Sequence, residues 1–498
     1  MADKRSLFIQ LAYIVVFVAT NCLLLFHAMP DEEFDNSKII SPTYAHASDG
    51  QRYWGVAVNL AESGRFVLRT QSKVSLIDSA KSSNKNRTVI QEPMSRAGPL
   101  PALVFSIPIK LLGFEKGAIG IVGIQCLVLF LTGVMARTLV GPFNWNKNLV
   151  QALLIFNPNL IGLAHHAQSE TIFVFLMTGI LVFVTKCLTY KRTAKKSEVI
   201  LFGLCLGLLP LARPLGAYIV IALPIMLVVP MWINRNGFRS CQEYLNYRVV
   251  LGVFLVTLLT LSPWAFRNYM VFGQFSLTQS EGIMMQWHYN SLTSYLGSRV
   301  NEQDPFVKYL SGEDSNECVG NYSLREGKCK QEAAKIYLEA ILDSSASDLF
   351  YVLMASWSKL FLSGGTTALT RYVGLPTPNL HRILHKSNNS SDVVGFIQSV
   401  FHTEYRGFFI IFLVTTTFAW LTRIFGLIGL FRCTSRTALA LTIFYGLSVG
   451  VFLMMYLFVG LSRFRAPLEP ILMLYATGGI CFVAAKFRQA MSSFSQSL

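Results

Sequence analysis

The sequence predicts an all-α polytopic membrane protein, with about 10 to 12 transmembrane helices and two large extracytoplasmic loop regions carrying interfacial helices. Three observations lead there. Of 498 residues, 52% are hydrophobic and only 14% charged, and the mean hydropathy is +0.45. The apolar residues gather into runs that approach or reach the roughly 20 residues needed to cross a bilayer. Lys and Arg gather mostly at the ends of those runs, the pattern that sets orientation. The net charge of +16 therefore does not argue for nucleic acid. Such binding needs a soluble basic face with interleaved aromatics, and the sequence offers no soluble domain to carry one.

Residues 7–26 form the first apolar run, after Lys4 and Arg5. Its length and the lack of a small-x-small cleavage pattern read as an uncleaved anchor. Residues 28–98 make the first extracytoplasmic loop, opening on Asp31, Glu32, Glu33 and Asp35. Within it, residues 46–66 predict a short amphipathic helix. Ser48 and Gln51 have capping-box spacing, and Gly64 supplies the stop. Tyr53, Trp54, Ala57, Leu60 and Ala61 recur at three- and four-residue intervals, an apolar face whose aromatics suit the headgroup layer. Asp49 sits at the mouth of this helix, either capping it or doing chemistry. Residues 73–96 are rich in Ser, Asn, Lys and Arg and read as ordered by substrate or not at all. Residues 100–112 are apolar but too short to cross, a second interfacial helix.

The next span, 117–139, carries Gly117, Gly120 and Gly123, read as a close-packing surface rather than a phosphate cradle. Residues 149–164 return outward through Asn157-Pro158 to the turn His165-His166-Ala167-Gln168-Ser169-Glu170. Residues 171–188 go inward to Lys186, Lys191, Arg192, Lys195 and Lys196, the strongest inner-side signal. Residues 199–211 reach the outer turn at Arg213-Pro214, 215–233 come back in, and 249–261 go out to Arg267 and Asn268. The large outer region 265–404 follows, with 349–362 either spanning or half-spanning. Spans at 408–431, 439–459 and 468–485 complete the chain around the outer turn Ser462-Arg463-Phe464-Arg465. Both termini fall inside, and residues 1–498 read as one membrane domain with no soluble C-terminal domain. Cys318 and Cys329 share a polar outer loop and are expected to pair in an oxidising compartment. The other seven Cys lie in or beside apolar segments.

Asp49, His165, His166, Glu170, Arg213, Arg267, Arg463 and Arg465 thus gather on one side, the outer one. Ionisable groups at helix ends in a membrane protein are costly unless they serve a partner or a cavity. A single carboxylate suffices as a general base towards a hydroxyl. Arg forks match phosphate oxygens bidentately and neutralise a phosphate leaving group, so no metal or other cofactor is required. His166 and Glu170 have the four-residue spacing of a partial zinc site, but two groups are not a site.

These residues sit in a series of short motifs: Asp49-Gly-x-x-Tyr53, Asn59-Leu-x-x-Ser63-Gly-x-Phe66, Gly98-Pro-Leu-Pro, Ser169-Glu-x-x-Phe173, Ala212-Arg-Pro, Pro263-Trp-x-x-Arg267-Asn-Tyr-x-x-Phe272-Gly, and Ser462-Arg-Phe-Arg-x-Pro. In order and position the series resembles polytopic GT-C glycosyltransferases, in the branch of protein O-mannosyltransferases and lipid A aminoarabinose transferase. The resemblance runs from about residue 45 to 485. It implies transfer of a hexosyl or pentosyl group, with inversion, from a polyprenyl-phosphate donor to a lipid, glycan or protein acceptor on the extracytoplasmic face. By position, Asp49 resembles the catalytic carboxylate and Glu170 the second acidic residue. Arg213, Arg267, Arg463 and Arg465 are the candidates for the donor phosphate. Tyr53, His165, His166 and Asn268 are candidate sugar or acceptor contacts. Glu170 stands where only part of the family has Glu rather than Asp.

Two other readings compete. A lipid or solute transporter also has many spans with buried charge, but it would place those charges near mid-membrane on broken helices. An oligosaccharide polymerase or ligase using a diphosphate donor would want more acidic metal ligands near Asp49. The expected location is the bacterial inner membrane with the site facing the periplasm, rather than the endoplasmic reticulum, since no retrieval signal ends the chain.

Overall fold

The computed structural model describes residues 2–28, 48–71, 89–93, 98–233, 241–277, 281–296, 327–373, 375, 405–433 and 435–497. It is almost wholly helical. Helix α1 (Ala2–Ala28) precedes the loop helix α2 (Ser48–Ser63), and a two-stranded antiparallel ribbon follows, β1 (Val67–Gln71) with β2 (Val89–Pro93). Val67 pairs with Pro93 and Gln71 with Val89. The sequence pattern predicts no strands here. The ribbon adds a local exception to an otherwise α architecture.

Helix α2 stops where Gly64 predicts, and Gly64 takes φ +68° with its N–H on the Leu60 carbonyl at 3.0 Å. Its apolar face is covered by protein. Tyr53 and Trp54 are buried, and the Trp54 ring meets Phe114 edge-on at 5.4 Å. That contact belongs to α3 (Pro99–Ala136), which turns at Gly113 (φ +80°). Glycine alone tolerates that turn comfortably. Beyond it the chain folds back, so that a Cβ on Gly117 would meet Ile109 at 2.7 Å and one on Gly120 would meet Pro108 at 2.6 Å. The glycine face is a packing surface as expected, except at Gly123, which faces open space.

The run expected to span as 149–164 is two short helices, α4 (Lys147–Ile155) and α5 (Pro158–Ala164). Asn157 breaks it, because its side chain caps the second piece by accepting from the N–H groups of Asn159 and Leu160. Helices α6 (Glu170–Thr189) and α7 (Lys196–Ala212) are antiparallel neighbours. The connection between them is tied by Glu198, which accepts from Lys186 at 3.0 Å and from Arg192 at 2.9 Å through both guanidinium nitrogens. Next come α8 (Gly216–Ile233), α9 (Tyr247–Phe272), α10 (Glu281–Leu296) and α11 (Gly327–Asp343).

Residues 349–362 belong to α12 (Ala346–Leu362), which buries Val352, Ser356 and Leu360, a single face at four-residue spacing. Helix α13 (Thr366–Tyr372), α14 (Arg406–Leu430), α15 (Arg436–Met455), a 3-10 segment (Ser462–Leu468) and α16 (Glu469–Ser497) complete the order. Among the described residues eight helices are long and apolar enough to cross a membrane. Helix α7, at 17 residues, and the α4–α5 pair account for the two further spans read from the sequence. Cys318, Cys329 and the side chain of Asp49 lie outside the described residues.

Candidate active site

Three helix ends meet around the 3-10 segment. Glu170 opens α6, and Arg213 closes α7 as its C-terminal cap. The helix dipole favours an anion at the first position and a cation at the second. The two side chains join in a buried ion pair, Arg213 Nη1 to Glu170 Oε1 at 2.8 Å. Arg213 also lies 5.6 Å from the ring centre of Phe464, and Arg463 lies 4.8 Å from the same ring. Phe464 is buried and stacked on Tyr456 at 4.3 Å with an 11° tilt. One rigid aromatic pair therefore holds two guanidinium groups. Gly98 completes the corner. A Cβ there would collide with the Leu211 carbonyl, so the Gly98-Pro-Leu-Pro start of α3 lies directly on the backbone that leads to Arg213.

Arg465 occupies a different place. It is buried at 1% exposure and bonds Glu469 Oε1 through Nε at 2.6 Å. Its Nη1 donates to the carbonyls of Leu360, Phe361 and Ser363 at the end of α12. Those are terminal carbonyls that a helix cannot satisfy internally. Arg423, from α14, reaches the same carboxylate at 3.0 and 3.2 Å and the Phe361 carbonyl at 3.4 Å. Arg423 and Glu469 were missed in the sequence reading. Their signal was present: each is an ionisable residue in or at the edge of an apolar run, which calls for a partner.

Arg267 is set apart from the mouth of α2. It packs over Trp264 at 4.7 Å and Phe272 at 5.3 Å, and approaches the Phe66 ring at 5.9 Å, beyond the C-terminal end of α2. Asp49 is at the opposite end, and the 16 residues of α2 amount to about 24 Å at 1.5 Å per residue. Asn268 spends both ends of its amide locally, accepting from Arg267 at 2.9 Å and donating to the Ser276 carbonyl at 2.7 Å. Tyr53 is buried on α2.

His165 and His166 flank Tyr372, with ring centres 4.6 and 6.0 Å away. His165 bonds the Ile161 carbonyl at 2.9 Å, and burial holds its imidazole below the ordinary pKa. His166 gives its Nε2 proton to the Ala368 carbonyl at 2.8 Å, while Glu170 is engaged by Arg213. The four-residue spacing of His166 and Glu170 thus serves two separate contacts.

No protein-family model matches the chain, and no curated protein matches it. Among solved structures, the chain is similar to the archaeal oligosaccharyltransferase AglB from Archaeoglobus fulgidus, in complex with an inhibitory peptide and a dolichol-phosphate. There the identity is 11% and the TM-score 0.49, over 98% of this chain and 52% of that one. It is also similar to ArnT from Cupriavidus metallidurans bound to undecaprenyl phosphate, at 13% identity and a TM-score of 0.39, over 94% of this chain and 78% of that one. The chain spans about half the length of the AglB chain it matches.

Proposed function

We propose that this protein is an inverting membrane glycosyltransferase that moves a sugar from a polyprenyl-phosphate donor to a hydroxyl acceptor on the extracytoplasmic face. The observation that carries the reading is the convergence of three separate motifs. Ser169-Glu, Ala212-Arg-Pro and Ser462-Arg-Phe are far apart in sequence, yet Glu170, Arg213 and Arg463 meet around one aromatic ring. In this reading Arg213 and Arg463 hold the carrier phosphate, and Glu170 orients Arg213 rather than taking a proton itself. Arg465 supports the segment that presents Arg463.

Asp49 takes the acceptor hydroxyl proton as the oxygen attacks the anomeric carbon. The bond from that carbon to the phosphate oxygen breaks, and the electron pair leaves with the carrier phosphate. Charge then grows on the leaving phosphate, where guanidinium donors stabilise the transition state without a general acid. Burial strengthens that effect, because the local dielectric is low. The acceptor is a lipid, glycan or protein hydroxyl, and the reading places the protein in the bacterial inner membrane with this site facing the periplasm.

The test is transfer of labelled sugar from a panel of polyprenyl-phosphate sugars by purified protein in native lipid extract. Asp49→Asn is expected to lower the rate by about 10² to 10⁴-fold, the usual contribution of a positioned base. Equal carrier consumption by both forms would remove Asp49 from the base role. Carrier movement across proteoliposomes without transfer would favour a transporter.

A further inference from the structure

Helix α15 ends where two packing groups meet. Tyr456 and Val459 belong to the main core, while Phe458 turns to a smaller one with Leu292 of α10 and Val352 of α12, against which Tyr337 and Ile341 of α11 pack. Helices α10, α11 and α12 of the large outer region thus share a core that adjoins the bundle just past α15. His288, on α10, reaches this joint. Its Nε2 lies 3.2 Å from the Met455 carbonyl, and its buried ring meets Tyr337 at 5.8 Å and Phe458 at 6.5 Å. A carbonyl only accepts, so Nε2 carries the proton. Met455 is the last residue of α15, and its carbonyl is one of those that a helix end leaves without an internal partner. His288 therefore caps α15 from another helix.

The capped carbonyl matters because of what shares its peptide plane. The other end of that plane is the Tyr456 N–H, which donates to the Phe452 carbonyl at 3.0 Å. The plane is held at both ends, and its rigidity passes that orientation on to Tyr456. The buried Tyr456 ring stacks on Phe464 at 4.3 Å, and Phe464 is the ring beside which Arg213 and Arg463 lie. We infer that His288 is a positioning residue for the carrier phosphate. Its bond fixes the backbone that carries Tyr456, Tyr456 fixes Phe464, and Phe464 fixes the two guanidinium groups. Charge-assisted bonds weaken steeply as distance and angle depart from their optimum, so a loosened ring costs phosphate affinity without removing an arginine. The inference rests on the proposed function, since it takes the arginines as the phosphate site, and it adds that the outer region helps to build that site through α10.

The experiment measures binding of undecaprenyl phosphate and of undecaprenol to the purified full-length protein by native mass spectrometry. His288→Phe keeps a ring against Tyr337 and Phe458 but cannot donate. It is expected to lose about threefold to tenfold in affinity for the phosphate, the range for one hydrogen bond, and to hold the alcohol within about twofold. His288→Gln, which keeps a donor, is expected to recover most of that loss, a rescue that a purely space-filling role would not show. In a Tyr456→Leu background His288→Phe should have no further effect, because the link it acts through is already cut. His288→Leu, read the same way, serves if His288→Phe does not fold. An unchanged phosphate preference, an equal loss for phosphate and alcohol, no recovery with Gln, or additive effects with Tyr456→Leu would overturn the positioning role alone. A wild type that shows no preference for the phosphate would overturn the carrier reading, and this role with it.

Discussion

Glu469 shows how much a single buried carboxylate can organise. It is fully buried, bonded to Arg423 and Arg465, and through them to the last carbonyls of α12. Removing one member of such a set leaves the rest charged and unpaired, which costs about 3–5 kcal/mol. Glu469→Gln is therefore expected to lower the unfolding midpoint in detergent strongly. Arg423→Met should do less, because Arg465 still meets the carboxylate. Equal and small effects would show that water enters the network. His165 sets a second dependence. Burial lowers its pKa from 6.5, as it does for His288, which is bonded to the Met455 carbonyl. A depressed histidine value means that the unfolded chain binds more protons as the medium acidifies. The stability tied to neutral imidazole is thus fully present above about pH 6.5 and is lost as pH falls through the lower folded value. Thermal unfolding followed from pH 8 to 5 should show this acid limb, and His165→Gln should flatten it.

Helix ends, more than helix lengths, place the candidate chemistry. The α5–α6 turn brings Glu170 up to Arg213, and the α12–α13 connection closes against it through Gly364-Gly365. Gly365 has φ +77°, and a Cβ there would overlap the Asn159 amide, whose Nδ2 donates to the Ser462 carbonyl at 3.2 Å. Gly365 therefore lets α13, α5 and the arginine-bearing segment meet. Gly365→Ala should destabilise by at least about 1 kcal/mol, because both its backbone angle and its contact are strained. Reduced transfer should accompany the lower unfolding midpoint. Unchanged stability would mean that Asn159 moves aside at no cost. The glycines Gly429 and Gly479 do comparable work between α14 and α16, where a Cβ on either would strike the other helix's backbone.

Across the molecule, the legible parts were those written locally. The Gly64 stop of α2, the basic helix ends and the apolar runs follow from spacing and charge, so the fold class could be read directly, as could the nearness of Glu170 to the end of one apolar run and of Arg213 to another. Pairings across the bundle could not. Nothing in the spacing of Arg423 and Glu469, 46 residues apart, says that they meet, nor that Arg465 caps α12. The break at Asn157-Pro158 was visible, yet an apolar run reads as continuous until the capping side chain is seen. Arg267 shares a motif series with Arg213 and Arg463 but sits by the far end of α2, because linear order carries no distance.

The proposed function requires that the Arg213–Arg463 pair hold a carrier phosphate. The direct measurement is the affinity of purified protein for undecaprenyl phosphate against undecaprenol, for wild type and Arg463→Met. The wild type is expected to favour the phosphate, and Arg463→Met to lose about 10 to 100-fold of that affinity, the worth of one or two charge-assisted bonds. Equal affinity for phosphate and alcohol in the wild type, or an unchanged preference in the variant, would contradict it.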